Sequence, residues 1–396
     1  MKSKKTESSS TKPKTDSSAF SFEKRELEIE KLSLGGDGIA RQEGLVYFVP
    51  LSVPGDRLLV QVTEKKKNFS RAEILEVLTS GPARQTPPCP VFGRCGGCNW
   101  QQLSYQEQLS QKQKIVEEQL SDSVASETQL FPIIPSPNPF RYRNRIQLKF
   151  DGKNLGFFAR QSHDIIAIDD CLISEDLVAK EISALRKSLI EKKSAAIPKI
   201  EISLTAEGKV ATSLEESCRD GSEFSQVNTL QNSKLVETVL LWLTPQEPRK
   251  IYDLYAGGGN FTFPLLRQFP KAALVGVELN SKSVGAAQKK IRELNLSPLR
   301  MNFFLSDVEI FLKKQPLEEN SVVLLDPPRS GCSVLVVRTL ALQNLKKIIY
   351  LSCNPAALAR DLELFREFGG WQVSKIQPFD MFPQTDHIET LVELSR

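Results

Sequence analysis

The C-terminal half of this sequence predicts an α/β fold with a Rossmann-like sheet, preceded by two smaller β-rich regions. Three observations carry that expectation. From about residue 225, apolar strands and amphipathic helices alternate, the succession that builds a parallel sheet through right-handed crossovers. Within it a glycine-rich turn, DLYAGGGNF (residues 253–261), leads one strand into a helix. Ahead of it, residues 22–80 read as short alternating strands broken by GGDG and PGD, the pattern of a small β-barrel.

Composition bounds the possibilities. The chain has 396 residues, room for two or three domains, and is 40% apolar and 25% charged, an ordinary globular balance. Its net charge of +4 permits an anionic partner without demanding one. No apolar run is long enough to span a bilayer, and the N-terminus lacks the apolar stretch of a secretory signal, so a cytoplasmic protein without a membrane partner is expected. Seven cysteines in such a chain point to metal ligation or catalysis rather than disulfides. Only two histidines exist, His163 and His387, so a general base is expected to be a carboxylate.

Taken in order, residues 1–21 form a Lys/Ser/Thr-rich tail that reads as disordered. In the region 22–80, LEIEKL, LVYFVP and RLLVQV supply the alternation of strands, and KKKNFSR (residues 65–71) is a basic turn around an aromatic, suited to phosphates and a stacked base. Residues 81–100, rich in Pro and Cys, read as a linker or metal-built loop, and LSYQEQLSQKQKIVEEQL reads as a helix. NPFRYRNRIQLKF opens a further β-rich segment. There Arg141, Arg143 and Arg145 alternate, which on a strand would set three guanidinium groups on one face for RNA or substrate. The region 81–222 ends there, and 223–396 holds the α/β succession. Its helices are QNSKLVETVLLWL, NFTFPLLRQF, KSVGAAQKKIREL and ALARDLELFREF. Its strands are KIYDLYAG, ALVGVELN, SVVLLDPP, KIIYLSCNP, WQVSKIQPFDMF and HIETLVELS.

Four constellations carry chemistry. The turn Gly257-Gly258-Gly259, with Glu278 ending the next strand, fits an adenosine site: glycines let a ligand approach the backbone and the carboxylate can take both ribose hydroxyls. LLDPPRSG (residues 324–331) delivers Asp326 to the sheet edge on an exit stiffened by two prolines. Cys353 ends one strand and Glu389 begins the last, so neighbouring strands could bring both to one pocket; alone, Cys353 reads equally well as a core residue. Cys89, Cys95 and Cys98 share one loop, with five and two residues between them, and Cys171 follows after 72 more. Four thiolates suit a tetrahedral zinc or a [4Fe–4S] cluster, and three in one loop with a remote fourth favours the cluster. Cys218 and Cys332 have no companions and read as structural or incidental.

Together the motifs CPVFGRCGGC, FSQVN, DLYAGGGNFT, DPPRSG, LSCNPAALARDL and FPQTDHIET resemble the RNA uracil-5-methyltransferase family over nearly the whole chain from residue 22. They come nearest to its branch with an N-terminal TRAM (OB-like) barrel and an iron–sulfur domain, which includes the bacterial 23S rRNA enzymes. The resemblance implies S-adenosylmethionine as methyl donor, where the turn alone also allows NAD. It implies Cys353 as nucleophile, Glu389 as base, and Gln226, Tyr255, Asn260, Glu278, Asp307 and Asp326 as contacts to the methyl donor. Phe224 and Gln226 would also reach the flipped base, and Cys89, Cys95, Cys98 and Cys171 would hold the cluster in a structural role. The expected partner is 23S rRNA and the expected state a monomer. A tRNA T-loop methyltransferase is the alternative within the same chemistry. A cytosine-5-methyltransferase is disfavoured by the missing second cysteine; a non-catalytic RNA-binding assembly factor and a cluster-dependent redox protein are the readings from other classes.

Overall fold

The computed structural model describes residues 23–205, 207–215 and 226–396. The expected basic tail, Phe224 and Cys218 lie outside the described residues. Six strands form the first sheet: β1 (Lys24–Glu28), β2 (Lys31–Leu32), β3 (Gly38–Gln42), β4 (Leu45–Val49), β5 (Arg57–Lys65) and β6 (Phe69–Thr79). Their order is β1-β5-β6-β4-β3-β2. Just past β1, the Glu30 amide donates to the Ile39 carbonyl on β3 at 2.8 Å, which closes the sheet into a barrel. Alternate residues of β5, Leu58, Val60 and Val62, point inward onto Leu27, Tyr47 and Val49, as the two-residue period of a strand requires.

Helix α1 (Tyr105–Leu120) follows, capped by the Ser104 hydroxyl, and then the short β7 (Gln129–Leu130). The second sheet holds β8 (Arg145–Phe150), β9 (Leu155–Phe158), β10 (Ile165–Ala167), β11 (Ile197–Leu204) and β12 (Val210–Glu215), in order β10-β9-β8-β11-β12. Helix α2 (Asp176–Glu191) packs Val178 and Ile182 onto it. Sequence patterning places no helix there, although DLVAKEISALRKSLIE has a helical period.

The rest alternates: α3 (Thr229–Leu243), β13 (Lys250–Leu254), α4 (Thr262–Gln268), β14 (Ala273–Glu278), α5 (Ser281–Glu293), β15 (Met301–Leu305), α6 (Val308–Lys314), β16 (Val322–Leu325), α7 (Val334–Ala341), β17 (Lys347–Ser352), α8 (Pro355–Gly369), β18 (Gln372–Phe379) and β19 (Glu389–Ser395). The sheet order is β15-β14-β13-β16-β17-β19-β18-β7. Its first five strands are parallel. The expectation of a parallel sheet fails at its end, because β19 runs antiparallel to both β17 and β18. Along β16, Val323 and Leu325 face one helical layer while Val322 and Leu324 face the other, so the strand is apolar throughout.

Two features tie the three sheets together. Residues that sequence patterning groups with the central region sit in the C-terminal core: Trp100, Leu103, Ile115, Val116 and Leu120 pack with Tyr350 and Leu358, and β7 pairs with β18. The barrel turn also closes onto this body. Gly36 (φ +82°) gives its carbonyl to Trp100 Nε1 at 3.1 Å, and a Cβ there would stand 2.7 Å from Asn99, 2.8 Å from Asp386 and 2.9 Å from Trp100. Among the described residues no helix is long and apolar enough to cross a membrane.

Candidate active site

Three adjacent strands deliver three reactive side chains to one edge of the large sheet. β16 ends at Leu325 and is followed by Asp326, and β17 is followed by Cys353. The antiparallel register pairs Ser352 with Thr390, so one step further outward Cys353 faces Glu389, the first residue of β19. The sequence sets this up locally. Asn354 caps α8 by accepting from the Ala356 and Ala357 amides, Pro355 opens the helix, and Cys353 is left between a wholly buried strand and that cap.

The electrostatics of this edge are unusual. Burial pushes the Cys353 thiol up to about 12, the neighbouring Glu389 and Asp326 push it the same way, and Arg329 opposes them. Glu389, 5% exposed, is held well above the ordinary carboxylate range by burial and by Asp326, again opposed by Arg329. Burial, with Asp253 and Glu278, raises Asp326 to about 7. Ionising any of these groups is therefore costly, and Arg329 is the cation that favours ionising the thiol and Glu389. Sequence reasoning gave Arg329 no part, although it is the sole cation in DPPRSG.

The residues expected to meet the methyl donor are each held by local partners. Gly257 (φ +54°) has open space where a Cβ would stand, and its amide donates to Glu278 Oε2 at 2.9 Å. Glu278 Oε1 also takes the Asn280 amide at 2.7 Å, so the carboxylate is held rigidly at the strand end. Tyr255 has φ +66° and lies beside the buried Cys332. Asn260 forms a reciprocal amide pair with Asn232, at 2.8 and 3.0 Å. Gln226 gives its carbonyl to Asn144 Nδ2 at 3.2 Å. Asp307 spends one carboxylate oxygen capping α6, on the Glu309 and Ile310 amides. Beneath the turn the buried Asp253, raised to about 7 by burial, accepts from the Thr262 hydroxyl.

The segment leading into Glu389 is clasped from outside the sheet. Lys112 and Asp380 form an ion pair at 2.6 Å with both side chains fully buried, and Lys112 also donates to the Phe382 carbonyl at 3.1 Å. Gln108, one turn earlier on α1, donates to Gln384 Oε1 at 3.0 Å and accepts the Gln384 amide at 2.9 Å. Asn99 exchanges two hydrogen bonds with Asp386, at 2.9 and 3.1 Å. No sequence signal announced these partners, which lie more than 260 positions apart.

A second concentration of sulfur lies apart from this edge. Cys89, Cys95, Cys98 and Cys171 all line one cavity of about 380 Å³, together with Arg143 and Arg145. All six described cysteines are free. Burial raises the Cys98 thiol to about 12 and also pushes up Cys89 and Cys95, with Cys171 adding to the cost of ionising each. Among the described residues, no three His, Cys, Asp or Glu side chains converge as the ligands of a single metal ion.

The three arginines expected on one strand face do not share it. Arg141 has φ +53°, which breaks an extended run, and its guanidinium is bound to Asp170 at 2.7 and 2.8 Å and to Asp176 at 3.3 Å. Arg143 Nε donates to the Arg145 carbonyl at 3.0 Å, and β8 begins only at Arg145. The basic turn does stand at an exposed hairpin tip, and Arg71 there lies over the Phe48 and Phe69 rings at 5.8 and 6.0 Å.

Comparison with known proteins gives these features a setting. The family model described as tRNA (Uracil-5-)-methyltransferase matches residues 215–396, and the TRAM domain model matches residues 19–75. An RNA methyltransferase of Bdellovibrio bacteriovorus is 44% identical, covering 94% of this chain and 95% of that protein. The 23S rRNA (uracil(1939)-C(5))-methyltransferase of Shewanella amazonensis is 31% identical, covering 92% of this chain and 94% of its own. Among solved structures, the Pyrococcus abyssi tRNA (uracil-54, C5)-methyltransferase, in complex with S-adenosyl-L-homocysteine, shares the fold with a TM-score of 0.73 at 23% identity, over 93% of this chain and all of that one.

Proposed function

This chain belongs to the RNA uracil-5-methyltransferase family, and on that premise we propose that it methylates C5 of a uridine in 23S rRNA through a covalent bond from Cys353 to uracil C6. The observation that carries this reading is the register that sets Cys353 opposite Glu389 with Asp326 beside them. The 23S rRNA assignment draws on relatives bearing that name at 30–31% identity over at least 92% of this chain.

Uracil C5 is too poor a nucleophile to take a methyl group unaided. Addition of the Cys353 sulfur to C6 moves the ring's π electrons into an enolate, whose C5 is electron-rich. A thiol raised to about 12 does not wait as thiolate, so its proton leaves to water as the S–C6 bond forms, and Arg329 offsets the charge that develops. S-adenosylmethionine supplies an electrophilic methyl group, and the Glu278 carboxylate and the open face of Gly257 fit its ribose and close backbone approach. Tyr255, Asn260, Gln226 and Asp307 complete that wall, and Asp326 orients the polar edge of the uracil. After C5 is methylated, ionised Glu389 removes the C5 proton, the double bond reforms and the sulfur departs. Its burial makes Glu389 a stronger base than a solvated carboxylate. A base paired or stacked in RNA must be flipped out to reach this edge.

The four-cysteine cavity is read as the seat of a [4Fe–4S] cluster with a structural role. A zinc ion needs all its sulfurs within about 2.3 Å of one centre. A cube takes each of four cysteines on a different iron, and these four all line one cavity. Arg143 and Arg145 on the cavity wall would balance its thiolate charge.

The test is a trap. Purified protein is mixed with S-adenosylmethionine and 5-fluorouridine-substituted 23S rRNA or tRNA, then resolved on a denaturing gel. Fluorine cannot leave as a proton does, so a methylated adduct stays attached. An adduct with 23S rRNA that Cys353→Ala abolishes is the expected result. An adduct with tRNA alone would overturn the substrate. No adduct with either RNA, from protein that binds the methyl donor, would return Cys353 to a core residue.

A further inference from the structure

A cleft between the cysteine loop, whose Cys98 forms part of its wall, and the segment before Glu389 has no part in the methyl transfer above. Its walls are the 96–99 turn, Arg160 and residues 385–387, and it encloses about 160 Å³. Pockets for drug-sized ligands hold roughly 300–1,000 Å³, so this one suits a single ring rather than a whole nucleotide. Arg160 enters it from the turn after β9. Its Nη2 is anchored by donating to Asp37 Oδ1 at 3.0 Å, and Asp37 Oδ2 also receives Arg71 from the barrel hairpin at 3.4 Å. Its Nη1 is buried and has no hydrogen-bond partner. A buried charged donor left unpaired is costly, so this nitrogen is placed for a group that arrives from outside.

What faces Arg160 narrows the group. Asp386 presents a carboxylate whose Oδ1 is held by Asn99 Nδ2 at 2.9 Å. The His387 ring closes another side, with Nδ1 3.3 Å from Arg329 Nη2. A cationic donor, a carboxylate acceptor and an aromatic ring around a ring-sized space match the edge and face of a nucleobase. A phosphate would meet the Asp386 charge. Through His387 and Arg329 the cleft is linked to Cys353.

We propose that this cleft takes the base of an unstacked nucleotide neighbouring the target uridine and that Arg160 Nη1 reads its edge. The proposal rests on the RNA substrate and covalent chemistry argued above. Its test uses a 5-fluorouridine RNA that the wild-type enzyme traps, remade with a single abasic site at each of three nucleotides on either side. The variant is Arg160→Lys, which keeps a cation for Asp37 and loses the second nitrogen. One abasic position is expected to slow wild-type trapping about tenfold. Arg160→Lys should slow trapping of the intact RNA similarly and that abasic RNA no further, with affinity for S-adenosylmethionine unchanged in calorimetry. Losses that multiply at every abasic position would overturn base reading in favour of backbone contact or a structural role, and an unchanged rate in the variant would overturn any role. If the wild-type enzyme traps no RNA at all, the covalent reading fails instead, a result separate from these.

Discussion

Two places in this molecule gather cysteine sulfur against buried walls, and the ionisable groups around them differ. Around Cys353 stand two carboxyl groups, Asp326 and Glu389, with Arg329 opposing them. Around Cys89, Cys95, Cys98 and Cys171 the wall carries Arg143 and Arg145, and the nearby Asp170 is already paired to Arg141. Burial raises the thiol to about 12 at Cys353 and at Cys98 alike. The lesson is that a raised thiol does not identify a role. At Cys353 two carboxyls and an arginine act on one sulfur, whereas at Cys98 the neighbouring sulfurs themselves raise the cost of ionising.

The largest effect that would sharpen this contrast is Cys353→Ala. Methylation should fall by roughly 10⁴-fold or more, with iron content and melting temperature unchanged. An equal loss of activity from a fully folded, iron-free Cys98→Ser protein would break the contrast. Next, Glu389→Gln should slow turnover by roughly 10²–10⁴-fold while a covalent complex with ordinary uridine RNA accumulates, because the step that releases the sulfur is the one removed. A variant that forms no complex would instead place Glu389 before sulfur addition. Arg329→Gln should cost about 10-fold to 100-fold and move the alkaline-rising limb of the rate profile to higher pH, since Arg329 lowers the thiol. An unmoved limb would separate Arg329 from Cys353.

Sequence made the placement of Cys353 and Glu389 more legible than the surroundings of the four clustered cysteines. Cys353 and Glu389 each sit at a strand end with strong local signals, an apolar strand before Asn354-Pro355 and a strand after FPQTDH. Their meeting depended on a register that sequence does not state. The arginine alternation misled because period alone does not make a strand; Arg141 turns left-handed and is consumed by Asp170 and Asp176. The strand β15 went unread because it is a short edge strand, and α2 because strand-like neighbours coloured its region. The clasp of Lys112, Gln108 and Asn99 on residues 380–386 was invisible, being made of contacts far apart in sequence.

Smaller effects test the resting charges. Cys98→Ser should abolish the visible absorbance of bound iron and lower the melting temperature by a few degrees, the shift expected for a loss of about 1–2 kcal/mol. Asp326→Asn should act in the opposite sense on stability. Asp326 is raised from its ordinary value to about 7, so the folded state prefers the protonated form. That contribution is complete below pH 4 and is lost as pH rises through 7. The variant should therefore gain on the wild type between pH 5 and 8, by on the order of 2 kcal/mol, while losing activity. Parallel melting curves across that range would show that Asp326 rests ionised.

Gly36 gives the barrel a bearing on all of this. A hydrogen atom is all that fits between the GGDG turn and Asn99, Trp100 and Asp386. The barrel therefore rides flush on the catalytic body, and the hairpin tip at residues 65–68 stands at a set remove from Cys353. On the proposed function such a molecule would work as a calliper, RNA held at the hairpin offering Cys353 only a uridine at the matching span. A methyl group at position 36 would shim the jaw open and change the span without touching a reactive atom.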